Sequence, residues 1–223
     1  WKVTANGPIL ANNEYDGEEY DARKEMTGWN NPGYDDKNWL NVDLTDAPQG
    51  TLEAQLNSNI KIMETLSPKS VSTPKPGVYV LDMGQNMVGW ISMRVNGKAG
   101  EQVKLRFAEV LNDDGTIYLG NIRNARVTDI YTLKGAENEL WEPSFTYHGF
   151  RYVEVTGYPG VPTVNDFEGK VIYDKMETIG HFETSDSTIN QIYKNAYWGI
   201  RGNYRGMPTD CPQRDERMGW LGE

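Results

Sequence analysis

The sequence predicts a mainly β chain: two β-sandwich or jelly-roll-like domains, then one amphipathic helix that leads into a charged loop. Three observations predict it. Between positions 76 and 178, short runs alternate apolar and polar residues with a period of two, and turn signals separate them. The stretch 67–77 carries Pro68, Pro74 and Pro76, which remove backbone donors and hold a chain extended, so it reads as a linker between two such domains. From Gly180 onward the apolar period becomes helical.

Taken in order, Trp1-Lys2-Val3-Thr4 reads as the middle of a strand, and 1–73 as the C-terminal part of an accessory β-domain. The expectation is a chain that begins inside a longer protein. Residues 12–23 form a polar, acidic loop, and 28–36 is dense in turn formers. Hard cations take carboxylate and carbonyl oxygens, which makes 12–23 a candidate calcium site. It lacks the acidic spacing of an EF-hand loop, and the expectation is that no cofactor is needed. Asn59 to Leu66 alternates well enough for a strand.

The second domain, 76–178, opens with a short apolar strand at Val78 to Asp82. A separate strand then places Ile91, Met93 and Val95 on one face, with Ser92 and Arg94 on the other. Val103, Leu105 and Phe107 alternate with Lys104 and Arg106, as Val153 and Val155 do with Tyr152 and Glu154. Turn signals stand at Asn96-Gly97, Asn112 to Gly115, Lys134-Gly135 and Tyr158-Pro159-Gly160. Several short strands so punctuated argue for a sandwich or jelly roll. His148 has no second His, Cys or acid at metal spacing, so it reads as a hydrogen-bonded core or edge residue.

The third segment, 179–223, begins with a helix. Ile189, Ile192, Tyr193, Ala196 and Ile200 fall on one stripe. Ser185 or Asp186 can cap its start by accepting orphan amides of the first turn, and Gly202 or Gly206 can end it.

Composition narrows the function. The net charge of −10 opposes phosphate backbones and anionic membrane surfaces, which excludes nucleic acid as a partner. No apolar run is long enough to span a bilayer. No basic n-region with an apolar stretch stands at Trp1, and cytoplasmic, periplasmic and secreted addresses are all compatible with the sequence. Cys211 is the sole cysteine, so no internal disulfide forms, and with no neighbouring base it reads as structural.

Residues 209–223 concentrate carboxylates, two arginines and a tryptophan directly after the helix. These are the ingredients of sugar chemistry: carboxylates that move protons or fix hydroxyls, a guanidinium fork of donors, and an indole that packs on a pyranose face. A charge run of this kind otherwise reads as a solvated turn. The order of residues decides between the two. Asp210-Cys211-Pro212-Gln213-Arg214-Asp215-Glu216-Arg217, followed by Gly219-Trp220, Gly222 and Glu223, resembles the motif of the bacterial α-L-rhamnosidases. Asp82 to Trp90 and Phe145 to Tyr152 resemble β-domain motifs of that family, read here as structural. Tyr20 to Arg23 and Trp29 to Asp36 resemble its N-terminal accessory domain.

The resemblance implies an inverting glycoside hydrolase acting on rhamnose-containing glycans or glycosides. The helix would be the first of a catalytic α/α-barrel whose other helices lie outside 1–223. Carried over by position, Glu216 matches the general acid, while Asp210, Arg214 and Trp220 match residues that hold the sugar. Glu223 stands where the family more commonly has Asp, a carboxylate displaced by about 1.5 Å through one extra methylene. Leu221 stands where Thr is common. No residue of 1–223 matches the general base, and Asp215 is too close to Glu216 to flank a sugar from the opposite face. The chain by itself is therefore expected to be inactive. The alternative reading is a non-catalytic carbohydrate-binding or scaffolding β-module; a related enzyme for another deoxy-sugar or a uronic acid is a third. Natural glycan, linkage and oligomeric state are not legible.

Overall fold

The computed structural model describes residues 1–221 and resolves them into twelve strands and a helix. Strand β1 (Lys2–Val3) leads to a hairpin of β2 (Ile9–Asn13) and β3 (Gly17–Asp21), which ends in a single 3₁₀ turn, Ala22–Lys24. The Asp21 side chain caps that turn by accepting the Arg23 amide. Strand β4 (Leu40–Asn41) returns to pair with β1 in a small ribbon of its own. Then follow β5 (Ile60–Leu66), β6 (Ser70–Lys75), β7 (Val78–Val95), β8 (Gln102–Ala108), β9 (Thr128–Thr132), β10 (Glu139–Trp141), β11 (His148–Thr156) and β12 (Phe167–Asp174). Helix α1 (Ser187–Gly202) closes the described chain.

The main sheet runs β2-β3-β9-β8-β11-β7-β12-β5, with β6 and β10 also on β7. Its pairs are antiparallel apart from β3 beside β9. Strands drawn from 9–21 and 60–66 thus share one hydrogen-bonded ladder with those of 76–178.

Period-two alternation puts the expected residues inside. Ile91, Met93, Val95, Val103, Leu105, Phe107, Val153 and Val155 are at most 1% exposed, and they form one core with Leu81, Met87, Phe150 and Phe167. Each such side chain removed from water contributes about 1.5–3 kcal/mol, which fixes the register of every strand that carries them.

The stretch 12–23, expected to be a loop, is mostly the β2–β3 hairpin, and two further expectations fail for tertiary reasons. Val78 to Asp82 and Ile91 to Val95 are one strand of eighteen residues, β7, not two. Its pairing with β11 is broken by a register shift, and an irregularity of that kind bends a strand. The bend is visible in the register. Phe150 pairs with Met87 and Tyr152 with Asp82, so β7 advances five residues while β11 advances two. Arg151 fills that step with a two-pronged bond to Asp82 (2.8 and 2.9 Å), and Asp82 also accepts the Gly84 amide at 2.7 Å. Gly89 lies where β12 crosses most closely: a Cβ there would sit 1.7 Å from the Lys170 carbonyl oxygen.

The second failure is the linker. Residues 70–75 form β6, paired with β7 through Ser70, Val71, Ser72 and Lys75. Pro74 falls in the register gap between Ser72 and Lys75, where the ladder asks nothing of its missing N–H.

Helix α1 is capped by Asp186, whose carboxylate accepts the Thr188 and Ile189 amides, and it ends at Asn203. Its apolar stripe points away from the sheet: Ile189, Ile192 and Ile200 are 44–62% exposed. The opposite face docks. Arg201 is buried, bonded to Glu64 of β5 at 2.6 Å and stacked over Trp198 with its guanidinium 3.6 Å from the ring centre. Gly202 faces Val88 of β7 closely enough that a Cβ would meet it at 3.0 Å.

Candidate active site

The stretch after α1 folds into a loop closed at its base. Thr209 bridges Gly219, the Asp210 amide bonds the Met218 carbonyl (2.9 Å) and the Trp220 amide the Pro208 carbonyl (3.0 Å). Beneath it, Arg205 donates to Thr209 Oγ1 at 2.7 Å, and the Gly206 amide reaches both oxygens of Asp174 at the end of β12. The helix C-terminus and the sheet edge together therefore set the loop's position.

Three contacts press the loop on the sandwich. Pro212 and Gln213 lie against Gly149 of β11, where a Cβ would come within 3.0–3.1 Å of them. Arg217 is 5% exposed, donates to the carbonyls of Glu14 and Tyr147, and lies 4.5 Å over the Tyr147 ring and 5.5 Å from that of Tyr15. Burial lowers its pKa from the ordinary arginine value. The third contact is Arg123, from the segment between β8 and β9, which pairs with Glu216 at 3.0 Å. Cys211 (φ 48°) and Arg217 (φ 32°) hold left-handed backbone, which non-glycine residues keep only where the surroundings over-determine them.

Within the loop, polar atoms of Asp210, Cys211 and Glu216 lie within 4.8 Å of one another. The Cys211 thiol donates to Asp210 Oδ1 at 2.6 Å. Burial, then that hydrogen bond, pushes its pKa up to about 11, so it is a thiol at neutral pH and a donor, not a nucleophile. Arg214 pairs with Glu216 at 2.7 Å. Burial opposes the Arg214 charge, but the Cys211, Glu216 and Asp210 groups around it raise its pKa on balance. A metal ion would need the thiol deprotonated and Glu216 released from two guanidinium groups; the cluster is arranged for hydrogen bonding.

Of the residues singled out in the sequence, Asp210, Arg214 and Glu216 are thus brought together. Trp220 stands at the loop's base, 53% exposed, and Glu223 lies outside the described residues. Asp215 has one buried oxygen without a protein partner. The acidic stretch 12–23 spends its carboxylates on protein donors: Asp21 on Arg23, Asp16 on the Arg126 amide, and Glu18 on Asn12 and the Ser144 amide. Sequence reasoning missed Arg123, Tyr15 and the Tyr147 carbonyl. Tyr15 and Tyr147 lie in stretches the sequence singled out for other reasons, and no local pattern marks any of the three as a partner of the loop, because each meets it from a distant element.

Gln85 and Asn86 of β7, Gly149 of β11, Asn195 and Trp198 of α1 and Pro212 of the loop line a cleft of about 410 Å³.

This fold and loop have relatives. Residues 1–64 match the α-L-rhamnosidase N-terminal domain, 72–173 the bacterial α-L-rhamnosidase concanavalin-like domain, and 177–223 the bacterial α-L-rhamnosidase six-hairpin glycosidase domain. These matches define the class: the chain is built from domain types that α-L-rhamnosidases carry. It belongs to the bacterial α-L-rhamnosidase family.

An α-L-rhamnosidase of Streptomyces avermitilis is 50% identical across the whole chain, and one of Formosa agariphila 42%. The chain spans 22% and 24% of their lengths. The Streptomyces enzyme, solved in complex with L-rhamnose, superposes with a TM-score of 0.92 over 97% of this chain and 21% of its own. The enzyme of Dictyoglumus thermophilum is 48% identical and superposes with a TM-score of 0.94, over 97% of this chain and 25% of its own.

Proposed function

We propose that the protein carrying this chain hydrolyses terminal α-L-rhamnosyl linkages with inversion, and that 1–223 supplies the acid half of the catalytic pair. The observation that carries the reading is the grouping of Asp210, Arg214 and Glu216 on one loop after the first helix of the six-hairpin segment. Glu216 protonates the leaving oxygen. Arg214 donates to a ring hydroxyl, Asp210 accepts from another, and Trp220 packs on the sugar.

To act as an acid, Glu216 turns Oε1, the oxygen that neither ion pair involves, toward the glycosidic oxygen as substrate enters. The second carboxylate, which activates water on the opposite face of the sugar, lies outside 1–223, so the isolated chain is inactive. Inversion requires the two carboxyl groups to be roughly 6.5–9.5 Å apart, a gap that residues on one tight loop do not span across a sugar.

Proton NMR of the first product formed by the full-length protein from an α-L-rhamnoside tests the stereochemistry. The β-anomer should appear first and then equilibrate. First release of the α-anomer would replace inversion with retention, and absence of turnover on any α-L-rhamnoside would remove the reading altogether. No helix among the described residues is long and apolar enough to cross a membrane, and the proposed partners are rhamnose-containing glycans or glycosides.

A further inference from the structure

We propose that Arg123, delivered by the β-sandwich, is a positioning residue that orients the Glu216 carboxyl group for proton transfer. The inference rests on the reading of Glu216 as the general acid.

Arg123 is held from both sides. Ile122 and Ala125 are buried at 6% and 5% exposure, which anchors the segment in the core. Asn121 donates to Glu109 Oε2 at 3.0 Å, while Asn86 donates to Glu109 Oε1 at 2.9 Å. The Arg126 amide is tied to Asp16 at 3.0 Å. Between these anchors Arg123 adopts a left-handed backbone (φ 57°), which aims a half-exposed side chain across the domain boundary. A merely solvated arginine needs none of this.

The geometry at the carboxyl group says what the contact does. Arg123 Nη1 (3.0 Å) and Arg214 Nη2 (2.7 Å) both lie at ion-pair distance from Oε2 of Glu216, an atom sealed from solvent that no donor meets at hydrogen-bonding angles, so the two arginines hold it by charge. Neither ion pair involves Oε1. The last torsion of a glutamate is soft and roughly two-fold, so a carboxyl group held at one oxygen by a single flexible arginine can rotate. Two guanidinium groups from different domains fix Oε2 and leave Oε1 to carry the proton toward the glycosidic oxygen. Arg214 travels with Glu216 on the loop, whereas Arg123 refers it to the rigid sheet.

The test uses the full-length enzyme with Arg123→Ala, Arg123→Lys and Glu216→Gln, each assayed on methyl and p-nitrophenyl α-L-rhamnosides. Arg123→Ala should lower kcat on the methyl glycoside by about 10- to 100-fold, the range expected when a reacting group is misplaced by about 1 Å, with KM nearly unchanged. The p-nitrophenyl glycoside, whose leaving group departs without a proton, should lose far less. Arg123→Lys should recover part of the loss, because it restores the charge but not the planar fork.

Equal losses of Arg123→Ala on both substrates, or none, would overturn the proposal. If the alanine variant does not fold, the lysine variant is read by the same comparison. Glu216→Gln separates the two layers of argument. If it shows no leaving-group dependence, the acid assignment fails and this inference with it. If it does while the Arg123 variants do not, only the role of Arg123 fails.

Discussion

Arg217 donates to the Tyr147 carbonyl oxygen at 2.8 Å and stacks over the same residue's ring at 4.5 Å. One side chain of the loop after α1 is thereby bound twice to Tyr147, the residue that immediately precedes β11. Arg217→Ala leaves the Glu14 and Tyr147 carbonyls without that donor, at about 1–3 kcal/mol for each acceptor that water does not reach. The expected outcome is a loosened loop on an intact sandwich. Hydrogen exchange reads it: the Asp210 amide, bonded to Met218, should exchange faster while β11 amides stay protected. Unchanged protection at Asp210 would show that Gly149 and Arg123 suffice to hold the loop.

Asp210→Asn and Glu216→Gln in the full-length enzyme should differ in pattern. The first removes a carboxylate proposed to accept from a sugar hydroxyl, so activity should fall by a similar factor for every leaving group. The second should fall by roughly 10²–10⁴ on an alkyl rhamnoside and much less on a nitrophenyl one. Identical patterns for the two variants would break the division of roles.

Glu139 contributes to the pH dependence of the sandwich. Burial opposes its charge, but the Tyr131 hydroxyl (2.7 Å) and the amides of Lys134, Gly135 and Ala136 outweigh it and hold the pKa below the ordinary 4.5. A carboxyl group depressed on folding contributes stability that is complete above its unfolded pKa and is lost as pH falls through the folded value. Glu139→Gln should therefore lower the melting temperature at neutral pH and flatten its decline below about pH 4.5. An unaltered acid limb would assign that decline to other carboxylates.

Cys211 should behave as a half-buried, hydrogen-bonded thiol. With its pKa pushed up to about 11, iodoacetamide labelling at pH 8 should be slow and should rise steeply only in alkali. Cys211→Ser keeps a donor for Asp210 and should retain more activity than Cys211→Ala. Rapid labelling at neutral pH would contradict both expectations.

Helix α1 should exchange unevenly. Ile189 and Ile192 are exposed near its start, whereas Arg201 and Gly202 are buried at its end. Protection in 1–223 should rise from Ile192 toward Gly202, since a short helix without tertiary contacts is marginal in water. Uniform protection would mean that the apolar stripe is covered by self-association, which sedimentation would then detect.

The alternating stretches at 91–95, 103–107 and 152–155, the helix and, as one of two candidates with Ser185, its Asp186 cap were legible because each rests on a local rule: burial alternates with the pleat, and a cap needs only the next few amides. The loop from Asp210 to Trp220 was legible as a chemical inventory, since the order of its side chains is itself the signal. Tertiary structure alone decided the rest. β7 is one bent strand because Arg151 and Asp82 bridge a register gap that neither segment reveals separately. The proline-rich 67–77 is partly a strand because a neighbour's ladder happens not to need the Pro74 N–H. Arg123 reaches Glu216 because a left-handed turn between β8 and β9 lands beside the loop that follows α1. Contacts between distant segments depend on where whole elements pack, and no local period or spacing encodes that.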